Sequence, residues 1–159
     1  MNVMVRSAEP GEGKLVCTLT REFAEEHGDL NHFKAKPDDF EIALFGPRSV
    51  CGCEIAWADG EPASHIFWHR SFSTFRGKPS IYIEDILVRE KHRRRGIAKA
   101  LIRHLAEIAN RDGLASIYWL MMEWNAAARD FYQSLGAEFE TGFCYYRLYG
   151  EALQKLAAK

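Results

Sequence analysis

Apolar residues recur along the chain at two intervals, and the interval changes mark its elements. Within residues 14–27 they fall at Leu15, Val16, Leu19 and Phe23, the spacing of one helix face. Gly28 follows, where a left-handed cap would close that helix. Before it, residues 3–6 predict a short strand, ended by the turn Glu9-Pro10-Gly11-Glu12-Gly13. Residues 37–45 begin with proline and precede Gly46, predicting a second, short helix. Residues 50–57 and 64–75 predict two strands joined by the hairpin residues Ala58-Asp59-Gly60-Glu61. After the turn Arg76-Gly77-Lys78-Pro79, residues 80–88 predict a third strand of the same meander. Residues 96–110 predict the clearest helix, with Ile97, Leu101, Ile102, Leu105 and Ile108 in one stripe and Lys99, Arg103, His104 and Glu107 outside it. A strand over 115–121, a helix capped by Asn125 and closed by Gly136, a last strand over 143–149 and a helix-prone tail over 151–159 complete the order.

The strand–helix–strand unit over 80–121 requires a parallel pair with a crossover helix, whereas the hairpins before it require antiparallel strands. The expected fold class is α/β (α+β): a mixed, mostly antiparallel central sheet flanked by helices, with ligand space beside the crossover. At 159 residues, 47% apolar and 27% charged, the chain is expected to be one globular domain, residues 1–159. The longest apolar run is six residues, 117–122, far below a bilayer span. The start of the sequence carries no secretory apolar core, so a cytoplasmic protein without membrane attachment is expected. Net charge is −1, which argues against a nucleic-acid partner held by overall charge. Of the cysteines, Cys51 and Cys53 lie at strand spacing, and no second pair completes a zinc site. No metal is expected, and Cys17, Cys51, Cys53 and Cys144 read as small core residues.

One local cluster, Lys91-His92-Arg93-Arg94-Arg95, stands against this balanced charge. It follows the strand Glu84-Asp85-Ile86-Leu87-Val88 and precedes Gly96-Ile97-Ala98 at a helix start. Unpaired N–H groups, the positive end of the helix dipole and small residues that admit close approach make such a turn an anion site. Flanking arginines add charge-assisted bonds. The residues alone point to a phosphate-bearing ligand; a solvated basic helix start is the other reading they allow.

The pattern Arg-x-x-Gly-x-Ala after a strand resembles the acetyl-CoA signature of the GNAT superfamily of N-acetyltransferases. Downstream, Glu123-Trp124-Asn125 and Phe131-Tyr132-x-x-Leu135-Gly136-Ala137 resemble that superfamily's second half-site, and the order of elements fits along nearly the whole chain. Residues 81–86, with Phe72, Phe75, Arg76 and Gly77, are most similar to the diamine (spermidine/spermine) acetyltransferases. The resemblance implies acetyl-CoA as co-substrate. Its pyrophosphate would be cradled by Arg93, Arg94, Arg95, Gly96, Ile97, Ala98 and Lys99, and its pantetheine held by backbone of Ile86, Leu87 and Val88 and by Asn125 and Ala128. Tyr132 would protonate the departing thiolate. An alkylamine is protonated at neutral pH and must lose a proton before it attacks. The resemblance implies Glu84 for that task or for holding the cation, with Asp85, Glu26 and His27 as further substrate contacts. Strict alternation along a strand would put Glu84 and Asp85 on opposite faces. In one respect the sequence departs from the diamine enzymes: Cys144 stands before Tyr145-Tyr146-Arg147-Leu148 where they carry a glutamate. This favours a substrate shorter than a long polyamine, with Tyr145 and Tyr146 as walls of a smaller pocket. Transfer of acetyl to a small primary amine by direct attack, in a homodimer, is the implied function. A protein or peptide N-acetyltransferase and a non-catalytic acyl-CoA sensor are the alternatives.

Overall fold

The computed structural model describes residues 2–158. Strand β1 (Val3–Ser7), helices α1 (Gly13–Glu26) and α2 (Pro37–Phe45), strands β2 (Cys51–Ala58), β3 (Glu61–Ser73) and β4 (Lys78–Val88), helix α3 (Ile97–Arg111), strand β5 (Ile117–Trp119), and helices α4 (Ala126–Ser134) and α5 (Gly150–Ala157) follow in order. The chain divides into two compact units, the first ending at Leu120 and the second beginning at Met121. In the first unit the sheet order is β1-β2-β3-β4-β5. Every pairing is antiparallel except β4 with β5, which is parallel, as the crossover requires.

Side chains of the sheet sort to two cores because successive Cβ atoms alternate. On one face, Ala56, Ile66, Trp68, Ile81 and Ile83 pack against Ile97, Leu101, Leu105 and Ile108 of α3. On the other, Cys53 and Ile55 pack with Val16 and Cys17 of α1 and with Phe40 and Leu44 of α2. Leu101 and Leu105 are fully buried, each contributing about 2 kcal/mol of transfer free energy.

A carboxylate lies inside the α3-side core. Glu54 is buried, yet it accepts from the Ser7 hydroxyl at 2.8 Å and from the Trp68 indole N–H at 3.2 Å. His104 Nε2 of α3 stands 3.2 Å from Oε2, the oxygen that Ser7 also reaches. Gly52 makes this arrangement possible: a Cβ there would lie 2.3 Å from the Trp68 ring. The indole therefore lies against bare backbone and reaches Glu54.

Three expectations are corrected. Residues 143–149 form no strand; none of them joins a ladder of the sheet, and Phe143, Tyr145, Tyr146 and Tyr149 are exposed. Alternating aromatics signal a strand only where a partner strand satisfies the backbone. Cys144 is exposed, not a core residue, and Cys51 is half-buried, while Cys17 and Cys53 are buried as expected. Strand β5 covers three residues instead of seven, with consequences for β4.

Candidate active site

Strand β4 outruns its neighbour. It pairs with β5 only at Ile81, Ile83 and the residue between them, Tyr82, then continues to Val88. The β5-side edge of β4 from Glu84 onward, including the backbone of Ile86, Leu87 and Val88, thus has no partner strand among the described residues. On its β3 side the ladder skips one residue: Trp68 pairs with Ile83 and Phe67 with Asp85, leaving Glu84 as the extra residue of a β-bulge.

The bulge resets the alternation and overturns the expectation that Glu84 and Asp85 face opposite ways. Ile83 and Ile86, three apart, both pack on the α3-side core. Glu84 and Asp85 between them both turn to the α1 face, each toward a histidine of β3. Asp85 Oδ1 lies 2.8 Å from His65 Nε2, and Glu84 Oε1 lies 3.3 Å from His69 Nε2. His65 is completely buried and also meets the Thr20 hydroxyl of α1 at 3.2 Å. Burial first, and then the Asp85 charge, push the Cys53 thiol well up; burial and then the Glu84 charge raise Cys51.

After β4 the chain turns through a single 3-10 turn, Glu90–His92, into the basic run. Several of its cations are committed to acids. Arg89 grips Glu22 of α1 with two bonds of 2.7 Å and donates to the Pro62 carbonyl, and burial notwithstanding, that carboxylate raises its pKa. Lys91 pairs with Glu61. Arg93 pairs with Glu26 and donates to the Val88 carbonyl at 2.9 Å. Glu26 thereby holds the basic turn to the end of α1. His27 folds back on its own helix, its Nδ1 2.9 Å from the Phe23 carbonyl and its ring against that of Phe23.

Arg94, Arg95 and Lys99 are exposed around the start of α3. Gly96 is left-handed at φ 78°, and a Cβ there would meet nothing within 4 Å. The first bond of the helix runs from Ala100 N–H to the Gly96 carbonyl, so N–H groups of Ile97, Ala98 and Lys99 have no helical acceptor. Exposed arginines, an open glycine and three orphan donors fit a pyrophosphate.

In the second unit, Asn125 caps α4, its Oδ1 accepting from Ala128 N–H at 3.1 Å. Tyr132 lies two turns on, so Asn125, Ala128 and Tyr132 share a half-buried stripe. Burial pushes the Tyr132 phenol up, keeping its proton available as a donor through the neutral range. Among the described residues, no group of three or more His, Cys, Asp or Glu side chains is arranged to hold a metal ion. No helix is long and apolar enough to cross a membrane.

Sequence reasoning singled out neither His65 nor His69. The available signal was two histidines four apart in one strand, opposite an adjacent Glu-Asp pair in the next.

Residues 16–137 match the model of the Acetyltransferase (GNAT) family. The chain is 33% identical to the thialysine N-epsilon-acetyltransferase of Bos taurus over 99% of its own length and 98% of that protein's. It is 34% identical to an L-ornithine N5-acetyltransferase of Arabidopsis thaliana over 59% of this chain and 41% of that one. An integron cassette protein from the mobile metagenome of V. cholerae shares the fold, with a TM-score of 0.82, 23% identity and coverage of 100% and 99%. The bulged end of β4, with no strand on its β5 side among the described residues, and the open turn into α3 thus sit in a chain that belongs to the GNAT family of acetyltransferases.

Proposed function

We propose that this acetyltransferase moves the acetyl group of acetyl-CoA onto the terminal primary amine of a small molecule of diamino-acid type. The observation that carries the reading is the freed edge of β4, which starts at Glu84 and leads through Gly96 to the orphan donors of α3. Arg93 to Lys99 take the pyrophosphate, and Ile86, Leu87 and Val88 take the pantetheine along the open edge, aided by Asn125 and Ala128. One N–H of that edge polarises the thioester carbonyl, where a fixed donor meets charge that develops in the transition state. Glu84 receives the substrate cation, with Asp85, Glu26 and His27 as further polar groups on the α1 side. The neutral amine attacks the carbonyl carbon, the N–C bond forms, the C–S bond breaks, and Tyr132 gives its proton to the thiolate. Of the two protons the ammonium nitrogen loses, one restores the Tyr132 phenol and the other goes to solvent.

The names of the relatives support the acceptor class. Thialysine Nε and ornithine N5 are both terminal amines on the side chain of an amino acid. Cys144, where the diamine enzymes carry a glutamate, supports a short acceptor over a long polyamine. We assign the working form as a cytoplasmic homodimer.

Initial rates of CoA release with acetyl-CoA and ornithine both varied test the reading. Intersecting double-reciprocal lines are expected for direct attack in a ternary complex. Parallel lines would indicate an acetyl-enzyme, and absence of release with every amine would overturn the reading.

A further inference from the structure

The two histidine–carboxylate pairs on the α1 face of the sheet differ in what reaches them. His65 and Asp85 are closed off, their side chains 0% and 11% exposed. His69 and Glu84 are open at 32% and 51%. The open pair stands where β4 leaves β5, at the bulged residue itself.

His69 stands between two acceptors: Nδ1 lies 3.2 Å from the carbonyl of Arg70, and Nε2 lies 3.3 Å from the Glu84 carboxylate. A neutral ring carries one hydrogen and can donate to only one of them, whereas a ring that has gained a second donates to both. The pair is therefore arranged to receive one proton. Several groups surround it. Cys51 lies opposite His69 across β2, its thiol raised. Tyr82 lies opposite on β4, ring centres 5.1 Å apart, with Tyr118 of β5 beyond it. Asp85 is engaged by His65, with Thr20 of α1 beside it, and α2 brings Phe40 onto Phe67. Arg70 pairs with Asp112.

We propose that His69 takes up the proton of the substrate ammonium group, acting through Glu84. The inference rests on the amine-acetylation reading above. Glu84 binds the R–NH3+ group; one proton passes by way of the carboxylate to His69 Nε2. This leaves R–NH2 with its lone pair free for attack and an imidazolium held by Glu84, which later returns its proton to solvent. Imidazole is the side chain most often used to take a proton from a reacting group.

Two variants test it. His69→Asn keeps a donor for the Arg70 carbonyl, and His69→Gln keeps a polar group toward Glu84; neither accepts a proton near neutrality. In both, kcat is expected to fall by about a hundredfold, with the acetyl-CoA KM kept. The acidic limb of the kcat profile is expected to move, because the group that takes the proton is gone. A loss of kcat with the wild-type limb unmoved in both variants would overturn the inference while leaving acetylation intact. Absence of turnover in the wild type would overturn the reading beneath it. A readout independent of turnover is the nitrogen NMR spectrum of histidine-labelled protein. With the amine bound, the His69 ring is expected to carry hydrogens on both nitrogens, and a ring that stays neutral would also overturn the inference.

Discussion

Tyr132 is assigned one task, delivering a proton to a thiolate, and its environment suits that task. Burial raises the phenol, so the proton is present throughout the neutral range. Tyr132→Phe keeps the ring and removes only the donor. The expected outcome is a fall in kcat of about 10²–10⁴-fold with acetyl-CoA affinity unchanged, checked by steady-state rates beside calorimetric titration. An equal loss of affinity would make Tyr132 a binding residue instead. A titratable residue of the first unit has its own signature. Two bonds from the Arg6 guanidinium hold Glu12 below the usual carboxylate range. In the unfolded chain Glu12 takes its proton at a higher pH than in the fold. Its stabilisation is therefore complete above the unfolded value and lost as pH falls through the folded one. Glu12→Gln is expected to lower stability at neutral pH and to flatten its acid dependence, measured by urea unfolding at a series of pH values.

Among elements, β2 and β3 depend on close approach. Gly52 lies under the Trp68 indole, and that indole holds the buried Glu54. Gly52→Ala forces a Cβ into a ring 2.3 Å away and is expected to destabilise by about 1–3 kcal/mol, read as a lower denaturation midpoint. An unchanged midpoint would mean that the ring can move without loss. In the proposed reading, strand β4 and the start of α3 act through a bulge at Glu84, a freed edge and a left-handed Gly96. The freed edge and the helix start leave backbone groups outside any ladder or helical bond.

Across the molecule, the parts legible in the sequence are those with strong periodicity. The α3 stripe and the meander of β2, β3 and β4 were readable because their side chains sort to two faces, and Asn125 because capping is local. The turn into α3 was readable as a helix start because Gly96 takes the left-handed conformation that ends the basic run. The faces of Glu84 and Asp85 were not, since a bulge is a property of the ladder between two strands and leaves no mark on one. His69 was missed because its meeting with Glu84 depends on that same ladder between β3 and β4. The strand expected over 143–149 failed because alternation predicts a face but supplies no neighbour.

Acetyl transfer to the side-chain amine of a small diamino acid is tested most directly by CoA thiol release from acetyl-CoA over one amine panel: thialysine, ornithine, putrescine, spermidine and short peptides with free N-termini. The highest kcat/KM is expected on thialysine or ornithine, with lower values on spermidine and loss of turnover in Tyr132→Phe. Preference for peptide N-termini, or acetyl-CoA binding with no release on any amine, would contradict it.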